Sequence, residues 1–269
     1  MSANVYLVPH DFTEVGDTAT DYAIKLASQT KAKVGILHII AKDKERAEAE
    51  TKIKAITADK RTKYPGISIS AYIEKGSIFT DIGSMAEALD AALIIMGTHG
   101  AKGMQKVFGS FAIKVITSTS VPFLVVQGEV PKHDVNKIVF AMDLTLESLQ
   151  VMTFAVDLAK EFDAEVHLVA KVETDATFAR KIRNHMLVVT KKFDEAKLRY
   201  KTELLEGSGS YQSKVTKYAS EEGADMIAIS YHTDSLLPQF DRFAQAIITN
   251  NEKIPAMVVN SKEVGKGYF

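Results

Sequence analysis

Val5-Tyr-Leu-Val-Pro-His-Asp11 is a short apolar run that stops at a Pro-His-Asp turn, and it returns later as Lys137-Ile-Val-Phe-Ala-Met-Asp143. Two more pairs keep the same offset of 132 residues: Ala23-Ile-Lys-Leu-Ala27 with Ala155-Val-Asp-Leu-Ala159, and Ala32-Lys-Val-Gly-Ile-Leu-His38 with Ala164-Glu-Val-His-Leu-Val-Ala170. Further on, His99 answers His232 and Val121-Pro122 answers Ile254-Pro255, at an offset of 133. Five matches with one slip make the 269 residues two copies of a unit of about 130, the commonest domain size. The expected domains are 1–130 and 131–269, joined near Gly128-Glu-Val-Pro-Lys-His133, a polar stretch with Gly and Pro.

Each copy alternates strands and helices. After the first strand, Val5–Val8, residues Gly16–Thr30 carry Ala19, Tyr22, Ala23, Leu26 and Ala27 at the spacing of one helix face. Val34–Ile40 reads as a strand and Asp43–Lys63 as a long charged helix with a solvated face. Ile67, Ile69, Ala71 and Ile73 alternate with polar residues, as in a half-buried strand. Ile78–Leu89 is helical, Leu93–Met96 strand, Gly109–Ser118 helix and Phe123–Val126 strand. The alternation predicts an α/β fold whose parallel sheet carries helices on both faces. The alternating third strand suits an edge. Phe123-Leu-Val-Val126 and Ala256-Met-Val-Val259 are too apolar for uncovered edges. The simplest cover for each is the other, which pairs the domains about a pseudo-twofold axis; a helix is the alternative cover.

Composition excludes several classes. With 33 basic against 34 acidic residues, a formal charge of −1 gives no global reason to bind nucleic acid or an anionic membrane. Without cysteine there is no disulfide, thiolate nucleophile or zinc–thiolate site. Apolar runs are strand-sized and Met-Ser-Ala-Asn opens no signal peptide, so a soluble cytoplasmic protein is expected. The seven histidines form no His-Glu-x-x-His pair, and neither a Gly-x-Ser-x-Gly elbow nor a complete P-loop is present, so no metal and no catalytic residue is assigned.

One stretch does carry ligand chemistry. Met96-Gly97-Thr98-His99-Gly100-Ala101-Lys102-Gly103 leaves a buried strand through three glycines, and Gly109-Ser110 opens a helix. Glycines let backbone amides approach an anion, and a helix N-terminus adds unpaired N–H groups. The plainer reading is a tight strand-to-helix connection. With Val8-Pro9-His10-Asp11-Phe12-Thr13 and Leu37-His38-Ile39, this stretch resembles a tandem universal stress protein over nearly the whole chain. The resemblance implies five strands per domain in the order 3-2-1-4-5, four helices each, and pairing through the fifth strands.

It also implies an adenine-nucleotide site for ATP or AMP in the first domain, with Mg²⁺ held through the phosphates. Asp11 would face the ribose with Pro9 beside it, Ile39 the adenine, and Met96 and Gly97 the nucleoside side. His99, Gly100, Gly109, Ser110 and the Phe111 backbone would hold the phosphates. The family spacing is Gly-two residues-Gly-nine residues-Gly-Ser/Thr; here eight residues separate Gly100 from Gly109. In the second copy Ser230, Thr233, Arg242 and Phe243 replace Gly97, Gly100, Gly109 and Ser110, which marks that domain as degenerate. The expectation is a nucleotide-binding regulatory protein of the stress response with one site per chain and an unidentified protein partner. The family leaves room for a homodimer. Two alternatives stand beside it: a structural module with a vestigial pocket, and a slow ATPase.

Overall fold

The computed structural model describes residues 4–98, 113–144, 152–231 and 238–260. The chain divides into two compact units, Met1–Asp134 and Val135–Phe269.

The first unit runs β1 (Val5–Pro9), α1 (Glu14–Thr30), β2 (Lys33–Ile40), α2 (Arg46–Lys63), β3 (Ile69–Lys75), α3 (Asp81–Ala88), β4 (Ala91–Gly97), a helical run α4 (113–116) and β5 (Phe123–Val126). The strands are parallel and lie in the order β3-β2-β1-β4-β5. The edge strand β3 has only Ile69 fully buried, whereas β5 is buried at every residue. Thr13 caps α1 by accepting from the Gly16 amide at 3.4 Å. The helix then buries Ala19, Tyr22, Ala23, Leu26 and Ala27, the face its spacing predicts, and ends at Lys31 in the left-handed region.

Two helices differ from the sequence reading at their starts. Asp43–Lys63 is not continuous: Asp43–Glu45 is a 3₁₀ turn, and the α-helix begins at Arg46. The Glu45 carboxylate accepts from the Ala41 and Lys42 amides at 3.0 and 3.2 Å, which tightens that turn. The helix expected from Ile78 starts only at Asp81, because that carboxylate turns back to accept from the Ser77 amide at 2.7 Å.

The second unit repeats the plan with β6 (Lys137–Met142), α5 (Met152–Phe162), β7 (Glu165–Lys171), α6 (Ala176–Glu195), β8 (Tyr200–Leu205), α7 (Tyr211–Glu221), β9 (Met226–Tyr231), α8 (Pro238–Ile248) and β10 (Ala256–Asn260). Its order, β8-β7-β6-β9-β10, is again 3-2-1-4-5. Gly207 and Gly209 adopt positive φ in the turn between β8 and α7, and Ser210 caps that helix. Among the described residues no helix is long and apolar enough to cross a membrane.

Candidate functional site

From β1 the first unit winds outward to β2 and β3, then crosses back to β4 and β5 on the other side of β1. The strand order therefore reverses between β1 and β4, the place where α/β sheets generally receive ligands. Pro9 ends β1, Ile39 lies near the end of β2, and Met96 and Gly97 end β4, so the fold brings these predicted residues to the same edge of the sheet. Pro9, Ile39 and Met96 are half-buried, Gly97 is buried and Asp11 is exposed. His99, Gly100, Gly109, Ser110 and Phe111, expected at the phosphates, lie outside the described residues.

The turn after β1 is held by two histidines. His10 donates its amide to the Leu37 carbonyl at 2.8 Å, and its own carbonyl accepts from His38 Nδ1 at 2.7 Å. The His10 ring is buried, and its Nδ1 accepts from the Phe12 amide at 2.9 Å. That bond puts the ring proton on Nε2, which faces Asp17 Oδ1 at 3.5 Å. Burial holds the His10 pKa below the usual 6.5, against the upward pull of Asp17. A Cβ on Gly16 would meet this ring at 2.9 Å, so the glycine makes the seat for the imidazole.

These bonds turn the chain at Phe12, which takes a φ of 64°. That conformation is uncommon for a residue with a Cβ, and the surroundings hold it. The Phe12 ring stacks on His38 with centroids 4.0 Å apart and 28° between planes, and Lys52 Nζ lies 5.5 Å from its centroid. Asp11 Oδ1 accepts from the Thr13 amide at 3.1 Å and the Thr13 hydroxyl at 2.6 Å. The carboxylate is thereby fixed in the turn while remaining open to water.

Gly97 has a packing reason of its own. A Cβ there would lie 2.5 Å from the Val15 carbonyl oxygen and 2.6 Å from its Cγ1, so the first turn of α1 crosses β4 only because residue 97 has no side chain.

The second unit holds the corresponding edge differently. Tyr211, the first residue of α7, places its hydroxyl 2.9 Å from the Met142 carbonyl and 3.0 Å from the Val169 carbonyl, at the ends of β6 and β7. Its ring stacks on Phe243 of α8, with centroids 5.4 Å apart and 12° between planes. Burial, then the nearby Asp143 charge, pushes the phenol pKa well above its ordinary value, so the hydroxyl keeps its proton at neutral pH. His185 of α6, buried, hydrogen-bonds the Asp143 backbone, and burial lowers its pKa. Thus Phe243, which replaces Ser110, joins an aromatic plug over the strand ends. His232 and Thr233 lie outside the described residues.

The sequence reading missed Tyr211. Counted at the repeat offset it answers Phe79, which lacks the hydroxyl, and that difference was the one available signal. His10 stood in the quoted run without an assigned role. Among the described residues no group of three His, Asp or Glu side chains converges as a metal site.

The family model described as the universal stress protein family matches residues 5–127 and again 135–259. Among solved structures, a universal stress protein from Archaeoglobus fulgidus is 18% identical, with 97% of this chain and 100% of its own covered and a TM-score of 0.76. A functionally unknown protein from Pseudomonas aeruginosa PAO1 is 14% identical, with 98% and 94% covered and a TM-score of 0.64. At such identities the likeness shows the fold alone. No curated protein matches the chain in sequence. The two family matches take in most of the chain and fall one to each compact unit: this chain belongs to the universal stress protein family and carries its domain twice.

Proposed function

We propose that the first unit binds an adenine nucleotide, ATP or AMP, at the carboxyl ends of β1, β2 and β4, and acts as a regulatory protein of the stress response. The observation that carries this reading is the contrast between the two strand edges. Asp11 stands exposed on a turn fixed by His10 and His38, while the same edge of the second unit is plugged by Tyr211 and Phe243. A carboxylate has about four lone-pair directions. Thr13 takes only Oδ1, so Asp11 suits two ribose hydroxyls. Ile39, Met96 and Pro9 supply apolar surface for the nucleoside. Phosphate contacts are assigned to His99, Gly100, Gly109, Ser110 and the Phe111 amide, with Mg²⁺ held by the phosphates themselves. A nucleotide that prefers one arrangement of this loop stabilises it by its differential affinity, and a protein partner in the cytoplasm would read the change.

A second reading has its own support. Because Val15 occupies the space beside Gly97, that glycine is explained without any ligand, as in a structural module with a vestigial pocket. Calorimetric titration with Mg-ATP and with AMP separates the two. Saturation near one site per chain supports the nucleotide reading; no heat at several temperatures gives the structural module the lead. Phosphate release that vanishes in His99→Ala or Ser110→Ala would add slow hydrolysis.

A further inference from the structure

The helix α6 has an unusual outer face. Its inner face buries Ile182, His185, Met186, Val189 and Phe193. Outside, Leu187 is 68% exposed and Val188 49%, two of the large apolar side chains left open to water. Between residues 176 and 193 the chain carries Arg180, Lys181, Arg183, Lys191 and Lys192 and no carboxylate. All five cations are exposed, and none forms an ion pair among the described residues. At 100° per residue, Arg180, Arg183 and Lys191 fall on the stripe of Leu187, and Lys181 and Lys192 on that of Val188.

The matching helix of the first unit serves as an internal control. In α2, Lys52 pairs with Glu48 at 2.6 Å, Lys54 with Glu50 at 3.5 Å, and Lys60 with Asp21 at 2.7 Å. No large apolar residue of α2 is among those strongly exposed. The two helices carry the same net charge of +3, but α2 pairs three of its cations and keeps a polar outer face, whereas the cations of α6 form no ion pair among the described residues and flank exposed apolar tips. A net charge of −1 conceals this helix's five cations, opposed only by Asp194 and Glu195 in its last turn.

We propose that the outer face of α6 docks on an anionic lipid surface. A protein groove receives a helix through apolar anchors at i, i+3 or i+4, and i+7. Around Leu187 those positions, 180, 183, 184, 190, 191 and 194, hold Arg, Arg, Asn, Thr, Lys and Asp, so no row of anchors exists. Two adjacent apolar tips ringed by cations instead match a headgroup layer: the tips enter the acyl boundary and the cations meet phosphates. The attraction acts within a Debye length, about 8 Å at physiological salt, so the local patch outweighs the near-neutral whole.

The test is co-sedimentation of the full chain with vesicles of phosphatidylcholine alone or with one-third phosphatidylglycerol. Anionic vesicles should carry the protein down at least about tenfold more than neutral ones at low salt, and the difference should collapse at high salt. The double variant K181E/K192E should lose about tenfold in vesicle affinity, and L187S/V188S several-fold with all charges intact. Lys54→Glu on α2 should change nothing. These positions are exposed, and circular dichroism confirms that each variant is folded. Equal sedimentation with both vesicle types overturns the proposal. So does anionic binding that survives K181E/K192E, or poly-glutamate competition together with no effect of L187S/V188S, which would mark a site for acidic polymers instead.

Discussion

In the first unit the backbone leaving β1 is held by imidazoles; in the second the equivalent carbonyls are held by a phenol. His38 reaches the His10 carbonyl and His10 the Phe12 amide, which leaves Asp11 at the surface of an open strand edge. Tyr211 reaches the Met142 and Val169 carbonyls, and Phe243 stacks behind it. Both arrangements satisfy strand-end carbonyls that would otherwise lack partners. They differ in what remains accessible. One leaves an exposed carboxylate; the other sets a half-buried aromatic pair at the same edge. A duplicated fold can therefore keep its strand order and its aspartate while the side chains that hold the strand ends differ between the copies.

The sharpest way to break this comparison is to remove the plug. Tyr211→Ala should cost about 3 kcal/mol, from the lost ring packing and a cavity that relaxes only partly. Urea denaturation would read the loss as a lower midpoint. A change within error would mean that the aromatic pair lies loosely on the surface. Next comes Gly97→Val, which drives a branched side chain into the Val15 backbone and should cost about 2 kcal/mol. Ser230, its counterpart, already carries a Cβ, so Ser230→Ala should cost well below that. Similar losses at both positions would refute the packing account of Gly97. Thr13→Ala removes the cap of α1 and one hold on Asp11, and should cost about 1 kcal/mol by the same denaturation assay.

A pH titration sharpens the comparison differently. His10 in the first unit, and His167 and His185 in the second, are all held below the usual 6.5, in each case chiefly by burial. The folded protein keeps them neutral where the unfolded chain would protonate them. Stability is therefore full above about 6.5 and falls as the pH drops through that value toward the lowered folded pKa. Protonation of His10 also removes the acceptor of the Phe12 amide, so the Asp11 turn should loosen first in the first unit. Protection of the Phe12 amide, followed from about pH 7.5 down through the pH at which folded His10 takes up its proton, would show this. A Phe12 amide equally protected at both ends would contradict it.

The repeat made most of the fold legible. Strand positions, the helix face of α1 and the edge character of β3 all follow from apolar spacing, a local property that one chain displays directly. What stayed hidden depends on side chains that turn back on the backbone. The 3₁₀ turn at Asp43–Glu45 comes from one carboxylate taking two amides, and its charge and spacing read simply as helix. Asp81 delays α3 in the same way. Asp11, Ile39, Met96 and Gly97 were assigned to a site through resemblance alone, and the fold sets them at or beside the carboxyl ends of β1, β2 and β4. Tyr211 escaped because its partners, residues 142 and 169, are far away in sequence and no spacing connects them to residue 211. The role of Gly97 escaped for a related reason. A glycine looks the same in sequence whether a ligand or a helix occupies the space it leaves.

The most direct test of the account compares the two aspartates at the ends of the first strands. Asp11→Ala and Asp143→Ala should each be titrated with Mg-ATP by calorimetry beside the unaltered chain. The account predicts one site per chain, lost or weakened at least about tenfold in Asp11→Ala, the loss of a charged hydrogen-bond acceptor, and unchanged in Asp143→Ala. Equal binding by all three proteins, or a loss confined to Asp143→Ala, would contradict it.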